Sequence, residues 1–453
     1  MPVKTKVDKI FHGKGFFQSV MKVGTGNAIG QAIAVFTTPI LSRIYNDVAY
    51  GDRAIIVSTS AIIISLSTIG LNSAIMRPEN DEESKKVFTT ALFMNIAVST
   101  LVAVACIAFQ NYFHLIDVSG SYGIALLLTW LYMIAYTAQS LVTIYTNRKC
   151  RYNRLFFNPI IGAASNIVLA IPLGLAGFGY EGFLITIIIS QLIQVIHMVW
   201  KDNPLYKHYK WEDFVSVLKS NKDYILYQYP ANLFSFTATE YPTQFLGRSF
   251  SSGELGSYSM CLNILKYPMR LISAPISTVY FRTATEYHQQ GKNLADFTFK
   301  IISKVLLLSF IPVAICCVYS EKIFVFVLGS TWATAGTIAA IKAVEFVMLF
   351  CSDCVSYCRV SIGKQRSNLV FSIIRLGVIV VFSLGGIRLF HNLMGTILMI
   401  TVGNTILNIG DMALNFHYLN KKYLPKYCVL AAFYVLLIII VLSLKYWNSG
   451  LVH

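Results

Sequence analysis

The chain has 453 residues, 55% hydrophobic and 13% charged, with a mean hydropathy of +0.60. A soluble domain carries about 25% charged residues, so these values exclude an ordinary soluble protein, and apolar runs of about 20 residues recur along the whole length. The formal charge of +16 would point to nucleic acid in a soluble chain; in a membrane chain it reads first as the positive loops that set topology, and no nucleic-acid partner is expected.

A basic N-terminus, 1–22, leads into the first span without the short apolar core and small-residue site of a cleaved signal. Spans are predicted at 20–41, 54–76, 87–109, 122–146, 155–178 and 181–200. The strongly basic loop 147–154 follows the fourth. The stretch 201–222 predicts a surface helix with Trp211, Phe214, Val215 and Leu218 on one side, the spacing of an interfacial amphipathic helix. The second half has spans at 224–248, 258–281, 301–319, 336–360, 368–390 and 395–417, with a polar connection over 282–300. A last apolar run, 427–444, has the length of a thirteenth span. The fold class is therefore an all-α polytopic membrane protein of about 12 transmembrane helices, in two six-helix lobes with a central cavity. The lobes are expected at 1–200 and 223–418, joined by the amphipathic connection 201–222 and followed by the segment 419–453.

With the N-terminus placed in the cytoplasm, loops assigned alternately put 27 Lys and Arg residues on that side and six on the other. Topology thus accounts for most of the positive charge. The halves also resemble a duplication, with the basic loop before span 5, Arg151 to Arg154, matching Gly363 to Arg366 before span 11. Six spans per half make the repeats parallel, a plan that sets the substrate path between them.

Four cations lie within spans, where topology does not explain them: Lys266, Arg270, Lys342 and Arg375. A charge at mid-bilayer depth costs about 2.5–3.5 kcal/mol on insertion scales. Lys266 and Arg270, four apart, share one helix face and are read as facing a path for an anion; snorkelling is the rival explanation for Arg270 and Arg375. Lys342 has Glu345 three residues on and can simply pair with it. Arg43, Arg53 and Arg248, near the outer span ends, would extend a cationic surface to a cavity mouth. Such a surface suits a diphosphate or acidic sugars. The acids within spans, Glu240, Glu345, Asp353 and Asp411, are candidates for H+ or Na+ coupling or for balancing these cations. Tyr227, Tyr229, Tyr241, Tyr258 and Tyr267 cluster around spans 7 and 8 and read as an interfacial belt or a stacking surface for sugar rings.

Cys351, Cys354 and Cys358 fall along one face of span 10 and are read as packing, since no His or second Cys pair completes a metal site. No metal or cofactor is expected, and no phosphate-binding Gly-x-x-x-x-Gly-Lys loop is present, so the chain does not read as an ATPase. A membrane polymerase or acyltransferase would need a large outer loop or a catalytic His in a span. His197, at the inner end of span 6, is the nearest candidate, and the chain is not read as an enzyme.

Short motifs along the chain resemble one family. Gly24, Thr25, Gly26, Asn27 and Gln31 are followed by Pro39 through Tyr45 and by Gly51. Then come Tyr229 and Pro230, Gly253 through Tyr258, Leu328 through Trp332, Ala335 and Gly336, and Gly363 through Gln365. In this order they are similar to Wzx-type polysaccharide flippases of the multidrug/oligosaccharidyl-lipid/polysaccharide exporter superfamily. The resemblance implies a two-lobed transporter of twelve spans that moves an undecaprenyl-diphosphate-linked oligosaccharide, an O-antigen or capsule repeat unit, to the outer leaflet of the bacterial cytoplasmic (inner) membrane. It also implies a pathway shared with a polysaccharide polymerase and chain-length proteins. Where the family often has an acid followed by Arg in span 7, this chain has Glu240 and Tyr241. A drug/cation antiporter of the same superfamily is the alternative; it would want an acid in span 1, which has none.

Overall fold

The structure is a computed structural model that describes residues 14–76, 78, 80–109, 118–200, 202–222, 225, 226, 229–362, 364 and 366–450. Tyr227, Gly363 and Gln365, singled out in the sequence, lie outside them, as does most of the basic N-terminus. Among the described residues thirteen helices reach 20 residues or more. They are α1 (Lys14–Ile44), α2 (Asp47–Thr68), α3 (Asp81–Ala108), α4 (Tyr122–Arg148), α5 (Tyr152–Leu175), α6 (Tyr180–Val199), α7 (Tyr229–Ser249), α8 (Ser252–Gln289), α9 (Leu294–Leu328), α10 (Ala333–Cys354), α11 (Arg366–Phe390), α12 (Leu393–Leu419) and α13 (Tyr423–Gly450). No strand occurs among the described residues.

Asparagine caps punctuate the chain. Asn46, Asn80, Asn293 and Asn392 each accept a backbone N–H of the helix they precede, at 2.9, 3.1, 3.2 and 2.8 Å. Ten of the long helices are apolar enough to cross a membrane. The run 427–444 belongs to one of them, α13. The other three, α1, α7 and α8, are long enough but interrupted by polar residues such as Asn27 and Gln31 in α1 and Thr237, Glu240 and Gln244 in α7. Helices of that composition need protein or water, not lipid, along part of their surface.

Several boundaries differ from expectation. The connection 282–300 is mostly helical: α8 continues to Gln289 and α9 begins at Leu294, with the turn confined to 290–293 and Gly291 at φ +66°. A helix satisfies its own backbone and so need not stop where the hydrocarbon does. Span 10 ends at Cys354 and resumes as a short helix at Cys358–Ser361. Ser352, Asp353 and Ser356 crowd the break, and such side chains compete for backbone groups. Within the stretch 201–222 the surface helix runs over Trp211–Ser220, where the Lys210 N–H donates to Asp213 Oδ2 at 2.9 Å.

Two compact units divide the chain, residues 1–248 and 249–453. In the first, α1 lies against α5, α6 against α4 and α5, and α3 against α2 and α4. The α1–α5 approach requires glycine. A Cβ on Gly26 would run into the Phe156 backbone, and one on Gly30 would meet the Pro159 carbonyl oxygen at 2.8 Å. This small-x-x-x-small spacing lets two backbones touch. Amides tie helices where no water is at hand: Asn95 Nδ2 donates to Ser67 Oγ at 2.7 Å, Asn158 Nδ2 to Gln194 Oε1 at 3.1 Å, and Gln244 Nε2 to Thr59 Oγ1 at 2.8 Å. At the basic end of this unit, Lys149 and Arg148 pair with Asp81, Arg151 with Asp202 at 3.1 Å, and Lys86 with Asp213 at 2.6 Å. The loop cations therefore fasten the ends of the helices. The surface helix seats Val217, 5% exposed, in a core that also holds Leu71, Phe88 and Tyr145. Trp211, expected on the apolar side, is 74% exposed and stacks on Phe214 at 4.8 Å. Val217 was missed because the face that Trp211 and Phe214 define is not the one turned to the core.

In the second unit α10 is central, with α8, α9 and α12 around it and α13 against α9 and α12. The span containing α10 is 72% buried, against 22% for α11 and for α13. Cys351, Cys354 and Cys358 are buried in a core with Tyr280, Met412 and Tyr427.

Candidate functional site

In the first unit Arg53 lies six residues into α2, at the end away from the basic loops. Its guanidinium sits over the Phe183 ring at 4.3 Å and 6.0 Å from the Tyr50 ring. Phe183 is itself fixed: its ring stacks on Tyr45 at 4.6 Å, and the Tyr45 hydroxyl donates to the Ala170 carbonyl at 2.8 Å. Arg53 is thus held by aromatic faces and half-buried, while its Nε is buried with no hydrogen-bond partner among the described residues. A guanidinium stacked this way keeps its in-plane donors for another group.

Around it the first unit gathers further polar groups. The buried Tyr132 of α4 sits beside the Gln191 side chain of α6 and within electrostatic range of Arg53 and Glu240. The Tyr132 ring lies 5.8 Å from that of Tyr136. Gln191 is 8% exposed, and its Oε1 has no partner among the described residues. Next to Arg53, Asp52 is fully buried; its Oδ2 accepts from the Ser119 N–H at 3.2 Å and from the Ser119 hydroxyl. Of the other candidates in this unit, Glu240 is half-buried, and Arg43 and Arg248 are exposed at the ends of α1 and α7.

In the second unit the candidates separate. Lys342 is 1% exposed and donates to Glu345 Oε2 at 2.6 Å, while Asn404 donates to Glu345 Oε1 at 3.2 Å. The Lys342 ammonium also lies 5.5 Å from the Tyr258 ring. The i, i+3 pair read from the sequence is formed, and it is enclosed. Asp411 accepts from Arg359 at 2.5 Å and from the Ser352 hydroxyl at 2.9 Å. Asp353 falls within electrostatic range of Arg375, Arg270 and Asp411. Arg375 is half-buried with an unpartnered Nε among the described residues, Lys266 is half-buried and Arg270 is exposed. Arg270 and Arg375 thus lie within electrostatic range of one carboxylate, Asp353, and Arg53 and Glu240 within range of one tyrosine, Tyr132. Lys342 belongs to neither set.

Several residues of these clusters escaped the sequence reading, Tyr132 and Phe183 among them. Arg359 was counted as a loop cation, yet it reaches Asp411 on α12. Asp52 and Gln191 were passed over, although an acid beside Arg53 and an amide within the apolar run of α6 are visible signals. Outside the spans, hydrogen bonding from Lys86 holds the Asp213 carboxyl below its ordinary range, aided by the Lys210 N–H.

Three comparisons bear on identity. A family model described as polysaccharide biosynthesis protein matches residues 40–336, more than half of the chain. A solved lipid II flippase MurJ, in an inward closed conformation, is similar at 12% identity over 92% of this chain and 99% of that one, with a TM-score of 0.65. An inward-facing multidrug resistance MATE family transporter of the MOP superfamily is similar at 14% identity over 90% and 96%, with a TM-score of 0.50. At such identities the likeness is one of fold. No curated protein matches the sequence. The agreement between the motif order along α1 to α10, the all-helical fold and the span of the family match leads to one conclusion: this chain belongs to the polysaccharide biosynthesis protein family and has the fold of the MurJ and MATE transporters.

Proposed function

We propose that the chain is a flippase that carries an undecaprenyl-diphosphate-linked oligosaccharide, an O-antigen or capsule repeat unit, from the cytoplasmic to the outer leaflet by alternating access. The observation that carries the reading is a guanidinium group on a membrane helix of the second unit, Arg375, whose buried Nε has no partner among the described residues. In hydrocarbon such groups are costly, and they are retained where an anion completes them. A diphosphate offers the paired oxygens that guanidinium binds bidentately. Lys266 and Arg270 add charge on α8 of the same unit, and Arg43 and Arg248, exposed at the ends of α1 and α7, add charge to the first unit. The lipid tail stays in the bilayer while the headgroup crosses.

Glu240, Glu345, Asp353 and Asp411 are the candidates for H+ or Na+ coupling in this reading, Glu240 first among them. The two six-span lobes, the cytoplasmic N-terminus supported by the 27 to 6 loop count, the bacterial inner membrane, and a polymerase and chain-length proteins as partners belong to the same proposal. In a deletion strain, lipid-linked repeat units should accumulate on the cytoplasmic side. Returning the Lys266→Ala, Arg270→Ala double variant should not restore surface polysaccharide, with protein level normal. Full surface display by the double variant removes these residues from the mechanism. Normal display in the deletion strain together with lost drug resistance identifies an antiporter instead.

A further inference from the structure

The cluster around Arg53 has a composition that a phosphate site does not need. It holds a carboxylate, two phenols and an amide besides the guanidinium. We propose that the first unit contains a sugar-binding site of its own, formed by Arg53, Tyr132, Tyr136, Phe183, Gln191 and Glu240, which holds a hexopyranose ring of the lipid-linked oligosaccharide. The proposal rests on the flippase reading and assigns the sugar, rather than the diphosphate, to this unit.

The residues converge in depth. Counted from the helix ends that lie away from the basic loops, Tyr132, Gln191 and Glu240 sit ten, eleven and nine residues in. At about 1.5 Å per residue, all three lie roughly 15 Å along their helices. Arg53 and Phe183 lie nearer that end, six and three residues in, where the guanidinium sits over the ring. The Tyr132 side chain lies beside Gln191, with the Arg53 and Glu240 charges within electrostatic range.

The chemistry fits a hydroxylated ring. A pyranose has an apolar C–H face and a rim of hydroxyls, each able to donate and accept. Aromatic rings receive the face, while planar polar groups take adjacent hydroxyls in pairs. The site offers a guanidinium donor in Arg53 Nε and an amide acceptor in Gln191 Oε1, both lacking a partner among the described residues. The Tyr132 phenol can do either. Gln191 is more than nine-tenths buried, and a buried acceptor left unmade weakens the fold. Its retention at this depth is explained by a ligand that completes it. Glu240 weighs against an anionic occupant, because its charge opposes a phosphate but accepts sugar hydroxyls well. The cluster is not fully enclosed: Tyr136 is 40% exposed, and Arg53 and Glu240 are half-buried.

The test uses the full chain in lipid nanodiscs and two probes. One is the lipid-linked oligosaccharide extracted from a strain lacking the chain; the other is polyprenyl diphosphate without sugar. The wild type should bind the glycolipid at least about tenfold more tightly than the bare lipid. Gln191→Leu and Tyr132→Phe should each weaken glycolipid binding about tenfold, the discrimination of a site built for hydroxyls being large, and leave bare-lipid binding unchanged. Tyr132→Phe removes a single oxygen atom and carries the test where Gln191→Leu fails to fold. Equal wild-type affinity for the two lipids overturns the sugar site and leaves the flippase reading standing. Variants that match the wild type, or that weaken both lipids alike, overturn it too. If the wild type binds neither lipid, the flippase reading itself fails.

Discussion

Replacing Lys342 by methionine keeps the volume of the side chain but deletes its charge, and leaves Glu345 alone inside the second unit. The wild-type contact is 2.6 Å between groups whose side chains are 1% and 10% exposed, on the helix at the centre of that unit. Breaking a buried pair from one side costs about 3–5 kcal/mol, whereas removing both charges is close to neutral. For a unit of this size each kcal/mol lowers the melting temperature by roughly 2–4 °C. Lys342→Met is therefore expected to lower it by about 6–20 °C, toward the low end if Glu345 takes up a proton. The double variant Lys342→Met, Glu345→Leu should recover most of that loss, with Asn404 the remaining group to lose its partner. Free buried thiols at Cys261, Cys317, Cys351, Cys354 and Cys358 make a thiol-reactive dye a direct reporter of opening in this unit. A single variant as stable as the wild type, or a double variant whose loss equals the sum of the two singles, would refute the account of Lys342 as a structural cation.

Two further outcomes follow from the geometry. Gly26→Leu should destabilise the first unit by about 1–3 kcal/mol through overpacking, because the added carbons meet the Phe156 backbone. Gly24→Ala, which faces open space, should melt with the wild type. The Asp213 carboxyl has its folded value lowered by hydrogen bonding from Lys86, so its contribution is fully present above the ordinary carboxylate pKa of about 3.9 and fades as pH falls through the lowered value. Amide exchange across Trp211–Ser220, corrected for intrinsic rates, should be equally protected at pH 7 and pH 5 and less so near pH 3; loss of protection already at pH 5 would show that another group fastens this helix.

Much of the architecture was legible because the bilayer imposes a length on every apolar run. Each run from 20–41 to 427–444 holds a long helix among the described residues, although 54–76 breaks after Thr68 and 336–360 after Cys354, and the Lys342–Glu345 pair was visible because i, i+3 residues must be neighbours on any helix. What escaped was whatever depends on a partner from another helix. Nothing about Arg359 announces Asp411, 52 residues away. Nothing about Arg53 announces the face of Phe183 on α6. Helix ends beyond the hydrocarbon were equally hidden, since polar residues at 282–289 are compatible with loop and with helix and only the caps decide. Gln191 is the instructive omission: attention to charges passed over an uncharged amide whose burial is as demanding.

The length of α8 has a mechanical side. Its 38 residues amount to about 57 Å at the standard rise, nearly twice the roughly 30 Å of hydrocarbon. Pro268 and Pro275 interrupt its hydrogen-bond ladder, and prolines within a helix are where bending concentrates. Lys266 and Arg270 flank Pro268. A rod anchored along α10 and jointed at that point works as a lever. A small change of angle beside the two cations is multiplied at the far tip, and a push on the tip returns as a small, firm displacement of the charges.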